Sequence, residues 1–132
     1  MALQVQLVSP EQVLFEGEAD MVVVRTLQEG DGAFLTGHAP FLGALATWPI
    51  ELVLSDGTRR VFAVHGGFVE VSNDRVTILS DVAELSEIID VERAEQAKVR
   101  AEEILVREPD DFVAQDALAR ATTRLDVASR AG

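Results

Sequence analysis

The chain of 132 residues has no cysteine, one tryptophan, no long apolar run, and only 11 lysines and arginines against 23 aspartates and glutamates. Each shortage removes a class of function. Without cysteine there is no disulfide framework, no thiolate nucleophile and no Cys-based zinc site, and the composition fits a reducing compartment. A formal charge of -12 excludes nucleic acid as a direct partner, because phosphate backbones are held by basic patches. The same acidity opposes adsorption to an anionic membrane surface. No apolar stretch approaches the roughly 18 to 20 residues of a spanning helix, so no direct membrane insertion is expected. Met1 to Pro10 lacks the basic and apolar regions of a secretory signal, and the expected location is cytoplasmic.

Glycine is unevenly spread. Eight of the nine lie between Gly17 and Gly67; beyond Ala83 none occurs until Gly132, while alanine becomes frequent. Strand chemistry is therefore expected over 1–83 and helix chemistry over 84–132. The charge divides as well: residues 1–83 carry 4 basic and 11 acidic side chains, net -7, and residues 84–132 carry 7 and 12, net -5. Most of the arginines thus lie in the second part.

In the first part, strands are predicted at Gln4 to Val8, Val13 to Glu16, Ala19 to Thr26, Gly32 to Leu35, Gly43 to Thr47, Ile50 to Leu54, Arg60 to His65, Phe68 to Val71 and Arg75 to Leu79. Their spacing of about eight to ten residues is that of an all-β sandwich or barrel. Ser55-Asp56-Gly57 and Ser72-Asn73-Asp74 are hairpin signals, since these residues tolerate positive φ. Leu3, Val5 and Leu7 alternate with Gln4 and Gln6, which predicts one buried face; Met21 to Val24 is continuous and predicts cover on both sides. Gly37-His38-Ala39-Pro40 describes a rigid turn, and Gly66-Gly67 a kink or bulge before a strand.

In the second part, Asp90 stands as an N-cap, and Val91, Ala94, Ala97, Ala101 and Ile104 or Leu105 recur at helical steps. Pro109 ends that helix near Arg107. Asp110 and Asp111 can cap a second helix striped by Ala114, Ala117 or Leu118, Ala121, Leu125 and Ala128. Two such helices joined by about four residues form an antiparallel hairpin. An alanine seam buries little apolar area, so the pair needs an outside surface to hold its position. Permanent packing on the sandwich and a mobile hairpin both satisfy that need.

No catalytic constellation is present. His38 and His65 sit beside glycine without a second ligand at helical spacing, no phosphate-binding glycine fingerprint occurs, and no metal site is expected. Arg93 and Arg100 share one helix face and Arg120 and Arg124 another, so four guanidinium groups can converge if the hairpin folds on itself. Guanidinium forks suit polyphosphate, and Asp90 can accept from an adenine amino group or a ribose hydroxyl. Capping by Asp90, and ion pairs to Glu84, Glu87, Glu92, Glu103 and Asp116, account for the same residues without a ligand.

The order of these segments, Gly37-His38-Ala39-Pro40, Gly66-Gly67-Phe68-Val69-Glu70-Val71, Val76-Thr77-Ile78-Leu79 with Asp81, and Ile89-Asp90-Val91-Glu92-Arg93-Ala94 opening an Ala/Glu/Arg-rich tail, resembles the epsilon subunit of bacterial F-type ATP synthases over essentially the whole chain. The resemblance implies an α+β fold: an N-terminal antiparallel β-sandwich of about ten strands over 1–83 and a C-terminal helical hairpin over 84–132. It implies a non-catalytic rotor subunit at the cytoplasmic face of the bacterial cell membrane, coupling proton flow to ATP synthesis. The sandwich is then expected to bind the gamma subunit and the c-ring. The hairpin, when extended, is expected to reach the beta subunit of the catalytic head and inhibit hydrolysis, with Arg120 and Arg124 as inhibitory contacts. No cofactor is required, but ATP is an expected regulatory ligand. The nucleotide motif Ile/Leu-Asp-x-x-Arg-Ala is matched by Ile89, Asp90, Arg93 and Ala94, with Glu84, Arg100, Arg120 and Arg124 at further positions. Thr36, His65 and the Trp48-Pro49 stretch depart from the family pattern, and the loop from Arg107 to Asp111 is short. The alternative from another class is a free-standing nucleotide-sensing module of the same fold.

Overall fold

In the computed structural model, which describes residues 2–130, the alternating segments pair into two five-stranded sheets. The first contains β1 (Leu3–Val8), β2 (Val13–Ala19), β5 (Phe41–Ala44), β8 (Phe68–Ser72) and β9 (Arg75–Leu79), in the order β2-β1-β9-β8-β5. Within it β1 and β9 run parallel and the other neighbours antiparallel. The second, wholly antiparallel, contains β3 (Met21–Thr26), β4 (Gly30–Phe34), β6 (Thr47–Val53), β7 (Arg59–His65) and β10 (Ala83–Leu85), in the order β10-β7-β6-β3-β4. Leu3, Val5 and Leu7 face Val22, Val24, Leu52 and Phe62 across a closed apolar layer. The expected sandwich of about ten strands is the observed one.

Three local readings change. Met21 and Val23 are only half-buried while Val22 and Val24 are fully buried, so β3 is covered completely on one face only. The strand expected at Gly43 to Thr47 is split: β5 ends at Ala44, and the chain crosses between sheets, with Leu45 N–H donating to Gly67 O and Ala46 N–H to Arg25 O. Pro49 lies inside β6, which begins earlier than Ile50. Proline is tolerated there because β3 pairs with β6 only from Glu51 onward, so no ladder donor is missing on that side.

The turns follow the expected chemistry. Asn73 and Asp74 have φ of 51° and 60° in the β8–β9 turn, and Gly57 has 87°. Gly67 is the most constrained: its φ is 119°, and a Cβ there would lie 2.0 Å from the Leu79 carbonyl oxygen.

Helix α1 (Val91–Arg107) starts at the Asp90 cap, whose carboxylate accepts from Arg93 N–H at 3.1 Å. Helix α2 (Phe112–Arg130) is capped by Asp111, which accepts from Ala114 N–H at 3.0 Å. The helices meet on Ala94, Ala101, Ala114 and Ala121, the predicted seam. A second buried face of α2, absent from the stripe read in the sequence, docks on the outer side of the second sheet. Val127 packs with Ala63 and Ile89, and Thr123 Oγ1–H donates to Thr47 O at 3.3 Å. The compositional change read at Ala83 falls inside the sandwich and not at its end: β10 runs on through Glu84 and Leu85, which pair with Ala63 and Phe62 of β7, and only then does a 3-10 turn (Ser86–Ile88) lead to α1. Ala131 and Gly132 of the expected hairpin lie outside the described residues.

Candidate functional site: the cleft between sandwich edge and hairpin

Strand β10 brings Glu84 to the sandwich edge, the Asp90 cap fixes the start of α1, and the alanine seam holds α2 alongside. Together they enclose a cleft of about 390 Å³ bordered by Glu84, Asp90, Arg93, Ala94, Arg100 and Arg124. The small side chain of Ala94 serves both the seam and the cleft wall. Arg93 and Arg100 reach the cleft from positions two turns apart on α1, and neither guanidinium takes part in an ion pair among the described residues. Arg124 is engaged: its Nε–H donates to Glu84 Oε1 at 2.6 Å.

Glu84 has a second donor. His65 Nε2 lies 3.0 Å from the same oxygen, and since an ionised carboxylate only accepts, Nε2 carries the hydrogen. The hydrogen bond from His65 holds the Glu84 carboxyl below its usual range; Arg124 acts in the same direction, and burial opposes both. The His65 side chain is 3% exposed, and its Nδ1 is buried with no hydrogen-bond partner among the described residues.

Two of the sequence-predicted site residues stand elsewhere. Ile89 belongs to the apolar cluster with Ala63 and Val127 and does not border the cleft. Arg120 is paired with Asp116 one turn earlier on α2, so three of the four arginines converge and not all four. The His65–Glu84 contact was not anticipated. The two residues are 19 apart, and they meet because Glu84 is in register with Ala63, two residues from His65 on the same face of β7. Only recognition of β10 as a strand would have disclosed it.

The cleft can therefore hold an anion. It offers two guanidiniums without ion partners among the described residues, Arg93 in the first turn of α1 and Arg100 two turns further on, with the Asp90 and Glu84 carboxylates on the same border. Its lining includes no hydroxyl or thiol, and among the described residues no group of three or more His, Asp or Glu could hold a metal ion.

Residues 2–86 match the family model described as the beta-sandwich domain of the ATP synthase delta/epsilon chain, and residues 87–129 match the model for its long alpha-helix domain. The chain belongs to this family. The ATP synthase epsilon chain of Shouchella clausii is 43% identical over 131 residues, covering 98% of this chain and 97% of that one. That of Halalkalibacterium halodurans is 44% identical over 132 residues, covering 97% and 98%. A chain in the cryo-EM structure of the Euglena gracilis mitochondrial ATP synthase (OSCP/F1/c-ring) shares the fold with a TM-score of 0.79 at 24% identity, over 97% of this chain and 81% of its own. Membership at this identity and coverage makes this epsilon-family chain a non-catalytic rotor subunit of an F-type ATP synthase. Among the described residues no helix is long and apolar enough to cross a membrane.

Proposed function

We propose that the chain serves in the central stalk of a proton-translocating ATP synthase, held peripherally at the cytoplasmic face of a bacterial cell membrane by its partners. Its sandwich seats on the gamma subunit and the c-ring, and in this position it couples proton flow to ATP synthesis. Its hairpin regulates hydrolysis. Compact on the sandwich it permits turnover; extended toward the beta subunit it inhibits, offering Arg120 and Arg124 to an acidic surface of the catalytic head. ATP in the cleft favours the compact form.

The observation that carries the nucleotide reading is the pairing state of the arginines. Arg93 and Arg100 face the cleft without ion partners among the described residues, in a chain where acidic side chains outnumber basic ones two to one. A guanidinium in the first turn of α1 with a second two turns on supports the reading of a phosphate chain, and the carboxylates of Asp90 and Glu84 on the same cleft are the acceptors it assigns to base and ribose donors.

Calorimetry of the full chain with ATP is expected to show binding in the roughly millimolar range or tighter, weakened about tenfold or more in Arg93→Ala, the loss of one charge-assisted contact. No binding by the wild type at that concentration removes the nucleotide role. Deleting the chain from Asp90 onward is expected to raise ATP hydrolysis by the assembled enzyme, and unchanged hydrolysis removes the inhibitory role. Co-purification with gamma and the c-ring separates the subunit reading from a free-standing nucleotide sensor, which would appear alone.

A further inference from the structure

Glu84 Oε1 is the meeting point of three elements. It stands on β10, accepts His65 Nε2–H from β7 at 3.0 Å, and accepts Arg124 Nε–H from α2 at 2.6 Å. Because β7 and β10 are neighbours in one sheet, the His65 bond is internal to the sandwich. The Arg124 bond crosses to the hairpin. If α2 leaves, Glu84 loses one donor and keeps the other.

Helix α2 lies over His65. Thr123 bonds the carbonyl of Thr47, the β6 residue in register with His65, while the adjacent Arg124 bonds Glu84 on the other side. The imidazole is 3% exposed beneath this cover, bonded through Nε2 only, and its Nδ1 is buried without a protein partner. The charged groups facing the ring are Glu84 from β10 and Arg124 from α2. Arg120, one turn back on α2, is engaged by Asp116, and Glu87 of the 3-10 turn borders a different cleft with Arg60 and Arg130.

We propose that His65 is a positioning residue that makes docking of the hairpin proton-sensitive: proton uptake by the imidazole opposes the Glu84–Arg124 contact and releases α2 from the sandwich. Two effects act with the same sign. A second N–H at Nδ1 has no protein acceptor beneath α2, and burying an unsatisfied donor is unfavourable. An imidazolium and a guanidinium would also share one carboxylate oxygen, so each disfavours the other. With α2 away, Nδ1 reaches solvent and Glu84 serves the imidazolium alone. The released form is therefore the better proton binder. By linkage, lowering the pH favours release and raising it favours docking. The inference rests on the hairpin being movable and is independent of nucleotide binding.

Composition makes the test clean. The sequence has two histidines and no cysteine, so His38 and His65 are its only side chains of the type that changes charge between about pH 5 and 8 in free peptides. His38 packs on Phe34 and Phe41 and bonds Ala39 O, in a turn separate from the hairpin. Trp48, the only tryptophan, lines a cleft with Leu105, Leu118 and Thr122 of the hairpin, so its emission reports docking.

The experiment titrates Trp48 emission of the full chain from pH 8 to 5, with amide exchange of β1 and β9 recording the integrity of the sandwich. Wild type and His38→Gln are expected to shift to the red on acidification, the docked-to-released ratio falling by up to about tenfold per pH unit, the slope for one proton. In His65→Gln the side-chain amide still donates to Glu84 but takes up no proton, and emission should be flat across the window. Arg124→Gln should be red-shifted already at pH 8 and show no transition. A flat wild type, a transition that persists in either His65→Gln or Arg124→Gln, or acid loss of β1 protection along with the shift overturns the proposal. If the wild type is flat while hairpin deletion still raises hydrolysis by the assembled enzyme, the proton switch alone has failed and the regulatory reading stands.

Discussion

The sandwich and the hairpin are built from the same chain with opposite economies of side chain. Between the sheets, Phe62, Leu3, Leu7, Ile50, Leu52 and Ile78 are each excluded from solvent almost completely. Between the helices the buried residues are alanines, and the hairpin touches the sandwich through Val127, Thr123 and two ion pairs, Arg124–Glu84 and the longer Arg130–Glu51 at 3.6 Å. At roughly 25 cal/mol per Å² of apolar area, the first arrangement stabilises a fold that persists by itself and the second only a docked position. Meanwhile Val106, Phe112 and Val113 at the hairpin turn remain largely exposed. The difference teaches where movement is cheap: α1 packs on α2, α2 on β6 and β7, so the pair can leave without opening the sandwich core.

Five changes probe that contrast, in order of expected size. Phe62→Ala, which empties the centre of the sandwich, should lower global stability by about 3–5 kcal/mol in urea denaturation. Gly67→Ala should cost about 3 kcal/mol in the same assay, since it combines positive φ with a clash against the Leu79 carbonyl that no side chain can relieve. Val127→Ala removes two methyl groups and should weaken docking by about 1.5 kcal/mol, seen in Trp48 emission with the main urea transition unmoved. If that transition moved as far as in Phe62→Ala, the two regions would be one cooperative unit and the comparison would fail.

Asp90→Ala should cost α1 about 1 kcal/mol through the lost cap, read as fraying of its first turn by amide exchange. The smallest effect comes from Glu84 itself. Its carboxyl titrates below the ordinary value of 4.5 when His65 and Arg124 are in place, so its support for docking is intact above about pH 5 and is lost as the pH falls through the lowered value. In the His65→Gln background, this should leave a residual shift in Trp48 emission below pH 4.5 that Glu84→Gln removes.

How far the sequence carried these features depended on the range of the interactions. Strand β1 was legible because Leu3, Val5 and Leu7 repeat with the period of the pleat, and the β8–β9 turn because Asn73 and Asp74 tolerate the positive φ it requires. Both helix starts were legible because an aspartate cap acts on the backbone three residues away. Strand β10 was not: three half-buried residues carry no period, and β10 pairs because the edge of β7 is open beside it. Within the candidate site, the motif residues Asp90, Arg93 and Ala94 reached the cleft as a consequence of helix geometry. Arg120 did not, because Asp116 on its own helix captured it first.

By itself, then, the sequence determined the two-part architecture, the closed sandwich core, the caps and the alanine seam, all of which follow from spacings within one element. Only the tertiary structure decided that Val127 and Thr123 form the docking face, that Ile89 turns into the apolar cluster, and that His65 and Arg124 share one oxygen of Glu84. Those contacts join residues 19 to 76 positions apart, and no local period encodes them. They exist because a sheet register sets Glu84 beside His65 and a helix laid across that sheet delivers Arg124 to the same place.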